Sequence, residues 1–207
     1  MKINSLQVGP ISTNCYILQD EQAKVCAVID PGDEAGRIAK AVEDTGCTPV
    51  MILLTHGHFD HCTAVRGLLE KWPDLPVYIS EKDVTDKTAG GFELLFPRLE
   101  EKNQRYYREG DRLPLGGLTI AVLETPGHSR GSVCLVVEDV IFSGDTLFYG
   151  SCGRTDFSGG SYEEILGSLK RLAQLPGQYT VYPGHDRATD LDFERRMNPY
   201  MKQGLNR

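Results

Sequence analysis

Residues 55–61 read Thr55-His56-Gly57-His58-Phe59-Asp60-His61, and this run holds three of the five histidines of the chain. Residues 50–54, just before it, form a short apolar run that is typical of a strand buried on both faces. Residues 62–71, just after it, carry apolar side chains at helical spacing. The run therefore lies on a loop between a predicted strand and a predicted helix. Its imidazole and carboxylate groups indicate a metal site, because both bind divalent ions.

Three further candidate ligands occupy similar places along the chain. His128, Asp145 and His185 each follow a predicted strand, and each comes directly after a glycine. A loop that leaves a buried strand is rigid at its root, so it can aim a side chain without straining the core. The full set suits two metal ions with a bridging water, and it consists of His56, His58, Asp60, His61, His128, Asp145 and His185.

The histidine-rich run divides its own ligands into two pairs. His56 and His58 are two residues apart, so they share a face if the segment is extended. Asp60 and His61 are adjacent, and they can serve a second ion only if the chain turns there. A turn is expected where the chain enters a helix after residue 61. The spacing thus predicts one pair for each of two ions.

Other interpretations of these residues stay open at this point. His128 or His185 alone would more often be an ordinary core or surface histidine, and Asp145 alone an ordinary turn residue. A closed structural zinc site usually has four ligands and favours cysteine. Cys62 is the only cysteine next to the run, and we interpret it as a packing residue at a helix start. We interpret Asp30, in a turn, as structural support near the site.

The composition is that of an ordinary globular protein, and the length of 207 residues predicts a single domain over residues 1–207. The net charge of −7 disfavours nucleic acid, whose binding depends on clustered Lys and Arg. The N-terminus lacks a secretory pattern and no apolar run reaches the length of a membrane span, so we expect no membrane partner. Six cysteines without a CxxC pair predict free thiols in a reducing cytoplasm.

Hydrophobic periodicity predicts an α/β or α+β chain without fixing its strand order. The predicted strands are residues 3–8, 14–18, 25–29, 50–54, 77–79, 118–123, 133–137, 140–143 and 180–182. The predicted helices are residues 34–45, residues 62–71, one behind a capping box at 161–164, and a short one from about residue 190. Residues 84–108 predict a partly helical excursion. Four aromatic residues there either wall a substrate cleft or pack on the surface: Phe92, Phe96, Tyr106 and Tyr107.

The run at residues 55–61 resembles the T-H-x-H-x-D-H signature of the metallo-β-lactamase fold. Later stretches resemble the family's further motifs in the same order: Thr125-Pro126-Gly127-His128-Ser129, Phe142-Ser143-Gly144-Asp145-Thr146 and Val181-Tyr182-Pro183-Gly184-His185. The resemblance implies a four-layer αβ/βα sandwich, in the α/β (α+β) class, with the site along one edge of two packed sheets. It implies one ion held by His56, His58 and His128. It implies a second ion held by Asp60, His61 and His185, with Asp145 as the bridge.

Within that superfamily the chain is similar to the glyoxalase II group. Residues 13–16 (Thr-Asn-Cys-Tyr), 153–157 (Gly-Arg-Thr-Asp-Phe) and 194–200 (Glu-Arg-Arg-Met-Asn-Pro-Tyr) look like its short bacterial YcbL-type members. Those proteins resemble glyoxalase II without its C-terminal helical glutathione-binding domain, and the same is implied for this chain. By position, Arg154 and Arg187 are candidate substrate-binding residues, Arg154 for a carboxylate of glutathione.

The resemblance implies a hydroxyacylglutathione hydrolase, which converts S-lactoylglutathione to lactate and glutathione in methylglyoxal detoxification. We hypothesise that a hydroxide bridging two divalent ions attacks the thioester while Asp60 orients it. Zinc is the first expectation, with iron or manganese as alternatives. A thiol with a pKa of about 8.5 can leave as thiolate, whereas an amide nitrogen needs a proton donor, so a thioester is favoured over a lactam.

Two alternatives from the same superfamily stay open. One is a non-haem iron dioxygenase acting on persulfides, and the other is a metallohydrolase with another substrate. The acidic net charge disfavours a nuclease, and the missing signal pattern disfavours a secreted β-lactamase. The glycine-rich loops around the ligands suit an accessible site, which disfavours a purely structural metal role. The sequence leaves the acyl group and the oligomeric state undetermined.

Overall fold

The structure, a computed structural model, describes residues 1–85 and 99–206. The strands in those residues are β1 (Lys2–Val8), β2 (Thr13–Asp20), β3 (Val25–Ile29), β4 (Thr48–Leu53), β5 (Val77–Ser80), β6 (Gln104–Tyr107), β7 (Arg112–Leu115), β8 (Leu118–Glu124), β9 (Val133–Val137), β10 (Val140–Gly144), β11 (Leu147–Phe148), β12 (Ser151–Cys152), β13 (Thr180–Pro183) and β14 (Thr189–Asp190). The helices there are α1 (Ala35–Asp44), α2 (Phe59–Cys62), α3 (Val65–Lys71), α4 (Glu81–Thr85), α5 (Tyr162–Ala173), α6 (Leu191–Met197) and α7 (Pro199–Leu205).

Two six-stranded sheets form the centre of the described part of the chain. The first has the order β1-β2-β3-β4-β5-β6, and the second has the order β14-β13-β10-β9-β8-β7. In the first sheet β1 to β3 are antiparallel and β3 to β6 are parallel. Parallel neighbours need crossover connections, which α1 supplies between β3 and β4, and α2 with α3 between β4 and β5. The strands β11 and β12 pair with each other as a separate hairpin.

Alternate side chains of each strand face two different layers. On β3, Val28 packs with the residues of α1 and α3, whereas Ile29 packs against the second sheet. On β9, Leu135 packs against the first sheet, whereas Cys134 packs with α5 and α7. Full burial of a side chain the size of isoleucine contributes about 1.5–3 kcal/mol. The layers are helices, sheet, sheet and helices, so the predicted αβ/βα sandwich is confirmed.

The carboxyl ends of five strands meet at one edge of this sandwich. β3 and β4 are parallel, so Asp30 and the histidine-rich loop leave the first sheet at the same edge. β8 and β10 are both antiparallel to β9, and β13 is parallel to β10, so these three strands also end together. Val133 N donates to Thr55 O at 2.9 Å and Asn14 N donates to Gly184 O at 2.7 Å, which joins the sheets there. Strand direction therefore brings every candidate ligand to this edge.

The predicted helix at residues 62–71 is wrong in its start and in its continuity. The helix α2 begins at Phe59, and residues 63–64 separate it from α3. Asp60 and His61 therefore lie within a helical turn already, which supplies the change of direction that their spacing required. The predicted helix start is confirmed, because the Ser161 side chain accepts from Glu164 N at the start of α5, but Ser161 N donates to Gly127 O, so the reciprocal bond of a capping box is not formed.

Residues 84–108 are predicted to form a partly helical segment outside the main fold. In the part of this range that the structure describes, the chain instead forms the end of α4 and the strand β6. Tyr107 is buried between the sheets with its ring stacked 5.8 Å from that of Tyr78, and Tyr106 is exposed on the sheet edge. Both therefore belong to a strand rather than to a cleft wall. Phe92 and Phe96 lie outside the described residues. Among the described helices, none is long and apolar enough to cross a membrane.

Candidate metal centre

All seven predicted ligands come together at the shared edge of the two sheets. Their ligand atoms form three overlapping groups, and the atoms of each group lie within 4.8 Å of one another. We name two of these groups, the imidazole group (His56, His58 and His128) and the mixed group (Asp60, His61 and His185). The third group connects them and consists of His56, His61 and Asp145.

Hydrogen bonds on the outer side of two rings orient the imidazole group. His128 Nδ1 bonds to the backbone carbonyl of Arg154 at 2.8 Å, and His56 Nδ1 lies 3.1 Å from Thr55 Oγ1. On the inner side, His58 Nδ1 and His128 Nε2 are only 2.8 Å apart. Outer partners of this kind fix ring orientation in metal sites and leave the inner nitrogens for the ion.

Carboxylates surround the histidines of the mixed group. Asp60 Oδ2 lies 3.3 Å from His61 Nε2 and 3.1 Å from His185 Nε2, and it also accepts from Thr13 Oγ1 at 2.9 Å. On the outer side, His61 Nδ1 lies 3.0 Å from Asp30 Oδ2. His61 is thus held between an outer and an inner carboxylate, an arrangement that is common for metal-binding histidines.

Asp145 lies between the two groups and faces both. Its Oδ1 is 3.4 Å from His61 Nε2, and its Oδ2 is 3.4 Å from His128 Nε2 and 3.6 Å from His185 Nε2. Oδ2 therefore lies next to one ring of each group, and Oδ1 lies next to a second ring of the mixed group. This geometry is what a bridging carboxylate requires.

Asp30 fixes the histidine-rich loop to the end of β3, which confirms its predicted structural role. Its Oδ1 accepts from Thr55 N and its Oδ2 accepts from Thr55 Oγ1, both at 2.7 Å. Its φ of 50° lies in the left-handed region, where a non-glycine residue persists only if its surroundings determine it strongly. The aspartate thus aligns the loop and orients His61 at the same time.

Asp83, on α4, is a site residue that the sequence analysis missed. Its buried carboxylate accepts from Gly57 N at 2.9 Å, Ser129 Oγ at 2.8 Å and Gly131 N at 2.7 Å. Burial raises the pKa of Asp83, although these three bonds act in the opposite direction. The carboxylate joins the histidine-rich loop to the loop that carries His128. No local pattern indicates this role, because the two residues before Asp83 are charged and exposed.

Two glycines allow the backbone to approach the ligands closely. A Cβ on Gly184 would lie 2.2 Å from Asp145 Oδ1 and 2.6 Å from His61 Cε1. Gly144 has a φ of 47°, and a Cβ there would lie 2.3 Å from Thr55 Oγ1. The glycines that precede His185 and Asp145 in the sequence therefore have a steric role in the site.

Two rings of the imidazole group, those of His56 and His58, favour the neutral form. Burial is the main reason that the pKa of His56 lies well below the usual histidine value, and repulsion from His61 and His58 adds to it. Burial likewise lowers the pKa of His58 to about 3. Neutral imidazole is the form that binds a metal ion, so no proton competes at these two rings.

The mixed group favours charged forms. Burial opposes protonation of His61, but Asp145 and Asp30 outweigh it and raise the pKa of His61 well above the usual value. Burial also opposes ionisation of Asp60, but the imidazoles of His185 and His61 close to it hold the pKa of that carboxyl far below its usual range. A proton on His61 thus occupies the place that a cation would take.

The donor set fits divalent metal ions. His56 Nε2, His61 Nε2 and Asp145 Oδ1 are buried, and within the described residues they have no hydrogen bond of good geometry. Buried polar atoms without partners are costly, and a central cation would satisfy all three. Imidazole and carboxylate donors without thiolate suit zinc, iron or manganese. Cys62 is buried at the end of α2 and belongs to none of the ligand groups, in keeping with its predicted packing role.

A cavity of about 480 Å³ opens onto the ligands. Beside the ligands, its described lining residues are Ile11, Phe59, Phe148, Ser151, Cys152, Arg154 and Phe157. The guanidinium of Arg154 lies 4.0 Å from the centroid of the Phe157 ring and forms two hydrogen bonds of 2.7 Å with the carboxylate of Asp156. Arg154 is therefore an exposed, paired cation at the rim of the cavity.

Arg187 does not line this cavity. Its guanidinium lies 3.6 Å from the centroid of the Tyr149 ring, and it lines a separate groove. Asp186, with a φ of 64°, turns the chain between His185 and Arg187. Of the two predicted substrate-binding arginines, the structure brings only Arg154 to the cavity.

The sequence model of the metallo-beta-lactamase superfamily (Lactamase_B) matches residues 8–185, a range that includes all seven predicted ligands. The chain belongs to the metallo-β-lactamase superfamily. It is a metallohydrolase of that superfamily with a His/Asp metal-binding site, and its two-sheet sandwich is the superfamily's fold.

Three similar proteins cover nearly the whole chain. The probable metallo-hydrolase YqgX of Bacillus subtilis is 40% identical over 210 residues, which are 97% of this chain and 98% of the relative. The hydroxyacylglutathione hydrolase GloC of Haemophilus influenzae is 32% identical over 218 residues, which are 97% of this chain and 98% of the relative. TTHA1623, solved in a di-iron-bound form, is 38% identical with a TM-score of 0.81, covering 95% of this chain and 99% of that chain.

Proposed function

We propose that this metallohydrolase cleaves a thioester, and that it acts as a hydroxyacylglutathione hydrolase of the glyoxalase II type. The observation that carries the proposal is the position of Asp145, whose carboxylate lies between the imidazole group and the mixed group at the floor of one open cavity. Two divalent ions held there would acidify a shared water to a pKa of about 7 and polarise a substrate carbonyl. We expect zinc first, and iron or manganese as alternatives.

The chain's own residues orient and enclose the reacting groups. Asp60 lines the cavity and lies between Thr13 and His185, so its carboxylate can accept a hydrogen bond from the attacking water. Phe148 and Phe157 line the cavity walls and exclude bulk water from the carbonyl. The remainder of the floor is formed by His58, His128, Asp145 and His185. A substrate carbonyl therefore meets a polar floor between apolar walls.

The cavity lining favours a leaving group that departs without a proton. Outside the ligand set, the titratable groups among the described lining residues are Cys152 and Arg154, and burial raises the pKa of Cys152 to about 11. Neither group gives up a proton readily near neutral pH. A thiol with a pKa of about 8.5 leaves as thiolate, whereas an amine needs a proton donor. This contrast supports a thioester over an amide or lactam.

Glutathione is the proposed thiol carrier. The similar protein GloC bears the name hydroxyacylglutathione hydrolase, and Arg154 stands at the rim where a substrate carboxylate could reach its guanidinium. S-lactoylglutathione is accordingly the first substrate to test. We expect the reaction to occur in the cytoplasm, in keeping with the six free cysteines.

The test is hydrolysis of S-lactoylglutathione, followed by ultraviolet absorbance, with metal content measured on the same sample. We expect turnover that stops when the ions are removed with a chelator and returns when zinc or iron is restored. Unchanged turnover in protein verified to be metal-free would refute the metal-dependent reaction. A lactam substrate in parallel, with no turnover expected, checks the argument from the leaving group.

A second arm addresses the persulfide dioxygenase alternative. Iron-loaded protein is mixed with glutathione persulfide in an oxygen electrode, and we expect no oxygen uptake above that of the persulfide alone. Catalytic oxygen uptake, together with absent thioester turnover, would replace the proposed function by the alternative.

A further inference from the structure

We propose that Glu194 and Asn198, on the C-terminal side of the chain, are positioning residues that hold the β11–β12 hairpin in place and so set the shape of one cavity wall. They touch neither the ligand groups nor the cavity. The wall they support carries three cavity-lining side chains: Phe148, Ser151 and Cys152. For its kinetic consequence, the inference rests on the proposed thioester hydrolysis.

The β11–β12 hairpin is too short to hold its own geometry. Each strand has two residues, and Leu147 pairs with Cys152 while Phe148 pairs with Ser151. Isolated two-stranded hairpins are marginal in water even when they are longer. The position of this wall must therefore be determined by what binds the hairpin from outside.

Glu194 binds the turn of the hairpin from a fully buried position. The side chain has no exposed surface, and its two oxygens accept from Gly150 N at 3.1 and 3.0 Å. Thr189 Oγ1 donates to the same carboxylate at 2.6 Å, and Asn198 Nδ2 donates at 2.8 Å. A buried carboxylate is costly unless it is fully hydrogen-bonded. These three donors are all neutral. The buried carboxylate of Glu194 is therefore compensated by hydrogen bonds to them and not by an ion pair.

Asn198 binds the next residue of the hairpin and anchors it to a helix. Its Nδ2 donates to Ser151 O at 2.9 Å, and its Oδ1 accepts from Tyr200 N and Met201 N at the start of α7. The hairpin is therefore bound through Gly150 N–H and Ser151 C=O, where its turn leads into β12. A stacked contact between Tyr149 and Phe193, with ring centroids 4.7 Å apart, adds to this attachment.

Glu194 and Asn198 bind the turn end of the hairpin, whereas Asp145 and the Arg154 carbonyl that binds His128 flank its other end, next to the metal centre. The ligands leave β4, β8, β10 and β13, whereas Glu194 and Asn198 lie on and after α6. Loss of their hydrogen bonds should move the wall while the ligand atoms stay in place. We therefore expect altered substrate selectivity with unchanged metal content.

Asn198→Ser is the main test variant. Serine can still cap α7, because its hydroxyl accepts from the same backbone N–H groups, but it lacks the amide that binds Ser151 O and Glu194. Glu194→Ala removes the carboxylate, and Glu194→Gln is the conservative rescue, because its amide can donate to Thr189 while its oxygen still accepts. Val42→Ala, on α1 in the core cluster behind the first sheet, is the control for general destabilisation, because Cys152 does not pack against that cluster.

The first readout uses Cys152 and needs neither metal nor substrate. Cys152 is half-buried on the hairpin, while the other five cysteines are buried. We measure its rate of labelling by iodoacetamide with mass spectrometry. We expect a rise of roughly tenfold in Asn198→Ser and Glu194→Ala, because loss of one charge-assisted buried hydrogen bond raises local opening by about that factor. Glu194→Gln and Val42→Ala should stay near the wild-type rate.

The second readout is the ratio of kcat/KM for a small and a bulky acyl thioester of glutathione. We expect this ratio to change severalfold, through KM, in the two disrupting variants with the metal content unchanged. Wild-type labelling of Cys152 in a folded Asn198→Ser protein would overturn the positioning role. If the wild type cleaves no thioester, only the proposed function is refuted. The labelling rates of Cys152 still test the positioning role of Glu194 and Asn198.

Discussion

The imidazole group and the mixed group share one edge of the sandwich, but they are prepared for a cation in different ways. Burial and mutual repulsion lower the pKa of His56 and His58, so these rings are neutral before any ion arrives. In the mixed group, carboxylates raise the pKa of His61 and of His185 against the effect of burial. An ion therefore meets no proton at His56 or His58, whereas in the mixed group it has to replace one at His61.

The two groups also differ in how their rings are held. In the imidazole group, a backbone carbonyl fixes His128 and a hydroxyl lies behind His56. In the mixed group, the carboxylate of Asp30 binds His61 from behind. A carboxylate behind a histidine raises its basicity as a ligand, whereas a carbonyl mainly sets its orientation. The difference predicts separate responses of the two ions to mutation and to pH.

The largest effect is expected from His58→Ala, which removes a ring of the imidazole group. We expect one ion rather than two per chain, and a fall in kcat/KM of about a thousandfold, since metal ions supply several kcal/mol and each 1.36 kcal/mol is tenfold in rate. Metal analysis and lactoylglutathione hydrolysis check this. Lys40→Ala, on the exposed face of α1, is the control. Two retained ions with wild-type turnover would contradict the assignment.

The next effect is expected from Asp30→Asn, which acts on the mixed group. The asparagine side chain has only one oxygen, so it cannot accept hydrogen bonds from all three of Thr55 N, Thr55 Oγ1 and His61 Nδ1. We expect the affinity for one ion to fall by about 10- to 100-fold, as for other outer partners of metal-binding histidines. Competition with chelators of graded affinity measures it. Asp33→Asn in the neighbouring turn should leave both affinities unchanged, and an equal loss at both ions would argue against the separation of the groups.

The pH dependence of metal binding sharpens the comparison without a mutation. Because the pKa of His61 is higher in the folded protein than in the unfolded chain, its protonation stabilises the metal-free protein below the usual histidine value. This contribution is lost as the pH rises through the raised value. We expect the affinity of one ion to rise with pH by up to about tenfold per unit while the other changes little. Calorimetry in buffers of different ionisation enthalpy counts the released protons, and two identical pH profiles would be evidence against the model.

Asp83→Asn tests the imidazole group by a smaller perturbation. One of the three donors that the carboxylate accepts from would then face an amide N–H. We expect a loss of about 1.5–3 kcal/mol in the free energy of unfolding, because a buried charge-assisted bond is removed. The affinity for the ion of the imidazole group should fall by less than in Asp30→Asn. Thermal unfolding and the chelator competition measure both, with Asp74→Asn on the surface as the control.

The sequence alone predicts the contiguous part of the site and most of the sandwich. Four ligands stand in one run, and long strands such as β2 and β8 carry enough residues for their pattern to be recognised. The ends of these strands then predict where His128, Asp145 and His185 lie. These features are local, or they depend only on strand direction.

The features that the sequence does not predict depend on contacts between distant segments. β11 and β12 are too short to show any periodicity, and β7 and α7 are also short. Asp83 follows two exposed charged residues, so only the folded chain shows that it is buried against two loops. Arg187 is two residues from His185, but the positive φ of Asp186 directs it to Tyr149 instead of the cavity.

The smallest effect is expected at the rim beside the imidazole group. Arg154→Ala keeps the backbone carbonyl that holds His128, so metal content and kcat should not change. We expect KM for lactoylglutathione to rise by roughly two- to fivefold, because an exposed ion pair contributes only about 0.2–1 kcal/mol.

Three comparisons separate this effect from a general loss of binding. Arg187→Ala should change KM less than Arg154→Ala does, since its guanidinium stacks on Tyr149 in the hairpin turn, outside the cavity. Asp156→Asn should lower KM, because it releases the Arg154 guanidinium from its partner for the substrate carboxylate. A lactoyl thioester without carboxylates should show no response to any of the three variants. If Arg187→Ala raised KM and Arg154→Ala did not, the thiol carrier would lie on the side of the mixed group, and the assignment of the two sides of the cavity would have to be reversed.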